Sequence, residues 1–128
     1  MPEGLARPVR VMLVEDHAAF HRALATLVDR EPDLAVVAQA GAPDEARRHA
    51  ASVGFDVAVM DLGFPDGDGE ALIGELRRAA SGAALPILSN SLDPTNLKRA
   101  TEAGADEVLP KFAAPGEIIG TIRRLGSG

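Results

Sequence analysis

The sequence predicts a doubly wound α/β domain built on a five-stranded parallel sheet. Two observations carry that prediction. Short apolar runs, several rich in valine, are each bounded by charged residues, Gly or Pro, and longer amphipathic segments separate them. Runs that are apolar at successive positions suit strands buried on both faces, the habit of a parallel sheet. Five strands alternating with five helices imply βα units with right-handed crossovers. Sheets of this kind place their sites beyond the carboxyl ends of the strands.

The elements follow in chain order. The first strand is expected over Val9–Val14, after a loose stretch of seven residues. Phe20, Leu24, Leu27 and Val28 then recur at spacings of four, three and one, which puts them on one face of a helix. The second strand is expected at Leu34–Val37 and the third at Val57–Met60. Between the third strand and the next helix, LGFPDGDG supplies Pro65, Gly67 and Gly69, a tight loop. The helix itself is expected over Glu70–Ala80, with Leu72, Ile73 and Leu76 on its stripe. Leu85–Leu88 and Val108–Leu109 read as the fourth and fifth strands. Pro115 opens the last helix at a favoured first-turn position, and Ile118, Ile119 and Ile122 line its face. Gly126–Gly128 reads as a loose tail, so the ordered core is expected over about 8–125 of a single domain spanning 1–128.

Composition narrows the function. The 128 residues suit one domain with a core large enough to need no staples. Without cysteine, neither a disulfide framework nor a thiolate metal site is available, which fits a reducing cytoplasm. No apolar run approaches the roughly 20 residues of a membrane span, and the first residues, MPEGLARPVR, lack the apolar stretch of a signal peptide. Thirteen basic against nineteen acidic residues leave a net charge of −6, which argues against direct binding of nucleic acid by this segment. Only four aromatic residues, all Phe, offer no base-stacking platform.

The strand ends carry the functional signal. The first strand runs directly into Glu15 and Asp16, and the third into Asp61. In a parallel sheet these ends share one edge, so three carboxylates converge. At about 5 Å and an effective dielectric near 20, each pair repels by roughly 3 kcal/mol. A cation, or a protonated carboxyl, relieves the strain. Clustered carboxylate oxygens suit Mg²⁺, a hard ion that often bridges to phosphate. Taken alone, Glu15–Asp16 reads equally well as a helix cap with dipole-favourable charge, and Asp61 as an ordinary loop acid. The fourth strand leads to Ser89, and the fifth to Lys111, supplying the hydroxyl and ammonium that a phosphoryl group on Asp61 needs as partners. The string DGDGE also suggests a calcium loop, but the glycine that such a loop requires at its sixth position falls on Ala71.

These residues resemble the receiver domain of two-component response regulators. The acidic pair lies in VED, the acceptor in VAVMDLGFPDGDG, and the lysine follows EAGADEVLPK. VEDHAAFHRAL, EPDLAVVAQAGAPDEA and KFAAPGEII resemble the NarL/LuxR-like subclass, and the likeness runs from Val9 to about Leu125. The resemblance implies a flavodoxin-like sheet of order 2-1-3-4-5 and phosphorylation of Asp61 by a sensor histidine kinase. Asp16, Asp61 and the carbonyl of Gly63 would bind Mg²⁺ directly, with Glu15 acting largely through water. Lys111 would contact the phosphoryl oxygens, and Ser89 would be the switch hydroxyl. It further implies a cytoplasmic protein that catalyses only its own phosphorylation and dephosphorylation, room for a homodimer, and DNA control through a C-terminal domain outside this chain. The chain then reads as an excised receiver or a single-domain regulator, and the subclass favours the first.

Four positions depart from the family pattern. Counting 22 residues back from Lys111 gives Ser89 as the switch hydroxyl, whereas counting 30 forward from Asp61 gives Ser91. Asn90 stands where a small residue is common, Val108 where Tyr or Phe is common, and Phe64 where Met is common. Asn90 and Val108 keep open a second reading, a receiver-like interaction module that signals without phosphorylation. A flavodoxin-like cofactor binder or hydrolase is weaker, because Glu15 and Asp16 occupy the turn where its Gly and hydroxyl residues would cradle phosphate.

Overall fold

A computed structural model describes residues 7–64 and 68–127. The elements alternate throughout: β1 (Val9–Val14), α1 (Ala18–Asp29), β2 (Leu34–Ala40), α2 (Pro43–Ser52), β3 (Val57–Asp61), α3 (Asp68–Ala79), β4 (Pro86–Ser89), α4 (Pro94–Ala103), β5 (Glu107–Pro110) and α5 (Pro115–Gly126). All the strand pairs are parallel and the order is β2-β1-β3-β4-β5, as expected.

Both faces of the sheet are covered, which is why its strands are apolar at consecutive positions. From β1, Met12 and Val14 enter one core cluster, which also holds Ala46 of α2, Leu72, Ile73 and Leu76 of α3 and Ala100 of α4. Val11 and Leu13 enter the other, with Leu24 and Val28 of α1 and Ile118, Ile119 and Ile122 of α5. Each of the Val, Leu, Ile and Met side chains among these contributes about 1.5–3 kcal/mol of burial. Helix starts are written into the sequence. Pro43, Pro94 and Pro115 occupy first-turn positions, and Asp93 caps α4 by accepting from the Asn96 amide at 2.9 Å.

Several boundaries differ from the sequence reading, one of them where a side chain claims a backbone group. β4 begins at Pro86 and ends at Ser89 rather than running Leu85–Leu88, because the Leu85 amide donates to the Asp106 carboxylate at 2.7 Å. A proline tolerates the first place in a strand. β2 continues to Ala40, and the register slips between Val11 and Met12, which skips Val37 and leaves it exposed. α3 begins at Asp68 and ends at Ala79, and β5 spans Glu107–Pro110. Gly126, read as tail, closes α5: a Cβ there would meet the side chains of Val9 and Val57. Pro65 and Gly67 lie outside the described residues.

Candidate functional site

The carboxyl edge of the sheet gathers the expected groups. Glu15 follows β1, and its amide donates to the Ala40 carbonyl at 2.9 Å. Glu15 is 2% exposed, Asp61 at the end of β3 is 4% exposed, and Asp16 faces solvent. Ligand oxygens of Glu15, Asp16 and Asp61 lie within 4.8 Å of one another.

Lys111 joins two of these acids. Its Nζ donates to Glu15 Oε2 at 2.9 Å and to Asp61 Oδ2 at 3.1 Å, across sequence separations of 96 and 50 residues. The Lys111 amide donates to the Ser89 carbonyl at 2.8 Å, so β4 fixes where the lysine starts. Burial pushes the Lys111 ammonium down, but its hydrogen bonds and the charges of Glu15 and Asp61 outweigh that and hold it above its usual value. Burial pushes the Glu15 carboxyl up, against the hydrogen bonds from Lys111 and the His17 amide.

Asp61 accepts from the Gly63 amide at 3.0 Å through its other oxygen, Oδ1. Behind this turn, Gly69 lets α3 approach, since a Cβ there would lie 2.5 Å from the Leu62 carbonyl oxygen. Ser89 is 4% exposed at the end of β4; its Oγ donates to the Ser91 carbonyl at 2.7 Å and accepts from the Ser91 amide at 3.2 Å. Ser91 itself is exposed and its hydroxyl turns to Asp93 at 2.9 Å. Asn90 is exposed, lining one cleft with Gly63 and Ser89 and another with His17 and Lys111. Val108 pairs with Ile87 and packs against the first core cluster, away from these charges.

Three nearby residues carry roles that sequence reasoning missed. His17, not Glu15–Asp16, caps α1: its Nδ1 accepts from the Phe20 amide at 3.3 Å. The cap reading of the acidic pair is therefore overturned, and Glu15 Oε2 instead accepts the His17 amide at 2.9 Å. His21 Nδ1–H donates to the Glu15 carbonyl at 2.8 Å, locking the same turn. The third is Phe20, whose ring lies under Lys111 Nζ at 4.9 Å from its centroid. A histidine beside the acidic pair was the visible signal for the cap; nothing in the sequence points to the ring.

The carboxylates fit a divalent cation. Glu15 Oε1 is buried and has no hydrogen-bond partner among the described residues, and such an oxygen needs a cation or a proton. Two buried acids and one exposed acid form an all-oxygen donor set suited to a hard ion.

A five-stranded parallel sheet with three carboxylates and a lysine at one edge is the setting of a receiver-type regulatory domain, and the chain belongs to the response regulator receiver domain family, which residues 11–123 match. Its relatives are response regulators of the NarL/LuxR family. It is 32% identical to the transcriptional regulatory protein UhpA of Escherichia coli over 120 residues, covering 94% of this chain and 60% of UhpA. This chain therefore spans less than two thirds of that relative. It is 30% identical to a LuxR-family two-component response regulator from Aurantimonas, with a TM-score of 0.86, 94% of this chain and 86% of that one. A Burkholderia pseudomallei response regulator with a phosphorylated aspartic acid, calcium ion and citrate is 26% identical, with a TM-score of 0.82, 93% of this chain and 69% of that one. Among the described residues, no helix is long and apolar enough to cross a membrane.

Proposed function

We propose that Asp61 accepts a phosphoryl group from a histidine-kinase phosphohistidine and that the charge so gained switches an output surface. The observation that carries this reading is the pair of bonds from Lys111 Nζ to the buried Glu15 and Asp61 carboxylates. In the transfer, an Asp61 oxygen attacks phosphorus, the P–N bond breaks, and its electron pair leaves with the imidazole, giving an acyl phosphate. Lys111 is within reach of the oxygens of that group and supplies positive charge where negative charge develops. Gly63 N–H holds the Asp61 carboxylate in orientation.

Asp16 and Asp61, with the Gly63 carbonyl, would hold Mg²⁺, with Glu15 contributing largely through water. When bound, the ion would supply charge neutralisation for the transfer. Ser89, buried at the strand end, is the switch hydroxyl: it exchanges its bond to the Ser91 carbonyl for one to the phosphoryl oxygen. Asn90 and Val108 shape the readout, Asn90 at the mouth of the site and Val108 within the α4–β5 region. The likeness to a regulator solved with a phosphorylated aspartic acid supports the acceptor role. The output is DNA control by a segment outside this chain, in the cytoplasm, with a homodimer as one route; the domain catalyses only its own phosphorylation and dephosphorylation.

Incubation with acetyl phosphate or phosphoramidate and Mg²⁺, read by intact mass, tests the proposal. One phosphoryl adduct is expected, and Asp61→Asn abolishes it. No adduct on the wild type, or an adduct that survives the substitution, sinks the reading in favour of a phosphorylation-independent interaction module. Beryllofluoride, which leaves such a module's spectrum unchanged, gives a second readout.

A further inference from the structure

We propose that Phe20 is a positioning residue: the face of its ring holds the Lys111 ammonium against Glu15 and Asp61. The inference deepens the phosphoacceptor reading and rests on it.

An ammonium has three N–H donors. Two of those on Lys111 go to Glu15 Oε2 and Asp61 Oδ2, and among the described residues the third has no hydrogen-bond acceptor. The Phe20 ring occupies the remaining side, with Nζ over it at 4.9 Å from the centroid. That lies inside the roughly 6 Å reach over which a ring quadrupole attracts a cation. Desolvation strengthens such attraction, and the Lys111 side chain is only 14% exposed.

A bland alternative is that Phe20 merely fills space, since it packs against the core cluster of α1 and α5. Leucine or methionine would do that equally well on the same helix face. The ring, however, lies between two openings. A cleft of about 540 Å³ is lined by Phe20 and Lys111 with His17, Asn90 and Phe112, and one of about 180 Å³ by the same pair with Leu24, Leu27 and Ile118. Phe20 and the lysine stem thus form the partition between them. Without the ring, both openings admit water to Nζ and give it room to swing out.

The chemistry favours a ring over a carboxylate or amide at this place. Lys111 must exchange part of its bonding to Glu15 and Asp61 for the phosphoryl oxygens. A third hydrogen-bond acceptor would compete with that exchange, whereas a π face attracts the charge in either position. Helix α1 holds the ring in place through the His17 cap, whose Nδ1 accepts from the Phe20 amide itself. The acid-pair turn and the lysine's support are therefore set by one helix start.

The test compares Phe20→Leu, Phe20→Met and Phe20→Trp with the wild type, with folding checked by far-ultraviolet circular dichroism. The readouts are the initial rate of adduct formation from acetyl phosphate, Mg²⁺ affinity, and the NMR shift of the Lys111 ε-methylene. Phe20→Leu and Phe20→Met are expected to slow uptake roughly threefold to tenfold, to keep Mg²⁺ affinity within about twofold, and to remove a ring-current shift from the ε-methylene. Phe20→Trp retains rate and shift. Unchanged rates in the leucine and methionine variants overturn the proposal, as does a slowed rate with an unmoved ε-methylene. A wild type that takes up no phosphoryl group overturns the phosphoacceptor reading alone; the ε-methylene shift still decides whether the ring holds Lys111.

Discussion

At the amino edge of the sheet, acids and arginines pair off; at the carboxyl edge, three acids cluster and two of them share one lysine. Along the first edge, Arg10 binds Asp56, Arg123 binds Glu31 and Asp33, and Arg124 binds Glu107. Arg77 adds bonds to Asp106 and to the carbonyls of Ala83 and Gly104. These pairs are half exposed, and individually such contacts are worth about 0–1 kcal/mol. Along the second edge, Glu15 and Asp61 are buried and Glu15 keeps an oxygen with no partner among the described residues. Charge that is balanced in pairs staples loops to strands. Charge left in surplus and out of water is held at the expense of stability, the usual mark of a functional site, and the proposed chemistry uses this edge.

The sharpest way to break this contrast is to remove the one lysine. Lys111→Met leaves two buried carboxylates facing each other, and losing one partner of a buried ion pair costs roughly 3–5 kcal/mol. Urea unfolding should show that loss in the absence of divalent cations, and added Mg²⁺ should recover more stability than it adds to the wild type. An unchanged midpoint would mean that the lysine is not what holds this edge.

Next in size is a change at the opposite edge. Gly126→Val forces side-chain atoms into Val9 and Val57 and should cost about 1–3 kcal/mol in the same assay. Phosphoryl uptake, normalised to folded protein, should not move. If it falls in step, the two edges are coupled and the contrast dissolves.

The smallest effect sharpens the comparison through pH. The Arg10 guanidinium, together with its backbone amide, holds the Asp56 carboxyl below its usual range although burial opposes this. A depressed folded pKa means that the unfolded chain binds the proton more tightly, so acid favours unfolding. The stability lost in Asp56→Asn should therefore be constant above about pH 4–5, at most about 1 kcal/mol. It should vanish as pH falls through the lower folded value. A difference between wild type and variant that grows on acidification would reverse the sign and refute the pairing.

Most of this architecture was legible beforehand because it depends on local order. Consecutive apolar residues in β1 and β3 announce strands covered on both faces, and Pro115 ahead of an Ile stripe announces the start of α5. The start of β4 at Pro86 rather than Leu85 was not legible, since the Leu85 amide is diverted by Asp106, 21 residues away. Nor was the identity of the α1 cap, because an acid and a histidine in adjacent places both suit the role and geometry alone selects His17.

For the site, the sequence by itself determined which chemical groups stand at the strand ends: Glu15, Asp16, Asp61, Ser89 and Lys111. Strand direction in a parallel sheet brings them to one edge whatever the details. Only the tertiary structure decided which atoms meet. That one ammonium bridges Glu15 as well as Asp61, that a Glu15 oxygen has no partner among the described residues, and that a phenyl ring lies beneath the lysine all depend on packing between α1 and the β5–α5 turn. Periodicity encodes the face on which a side chain sits, but a 3 Å contact between residues 96 apart is set by how whole elements settle against one another.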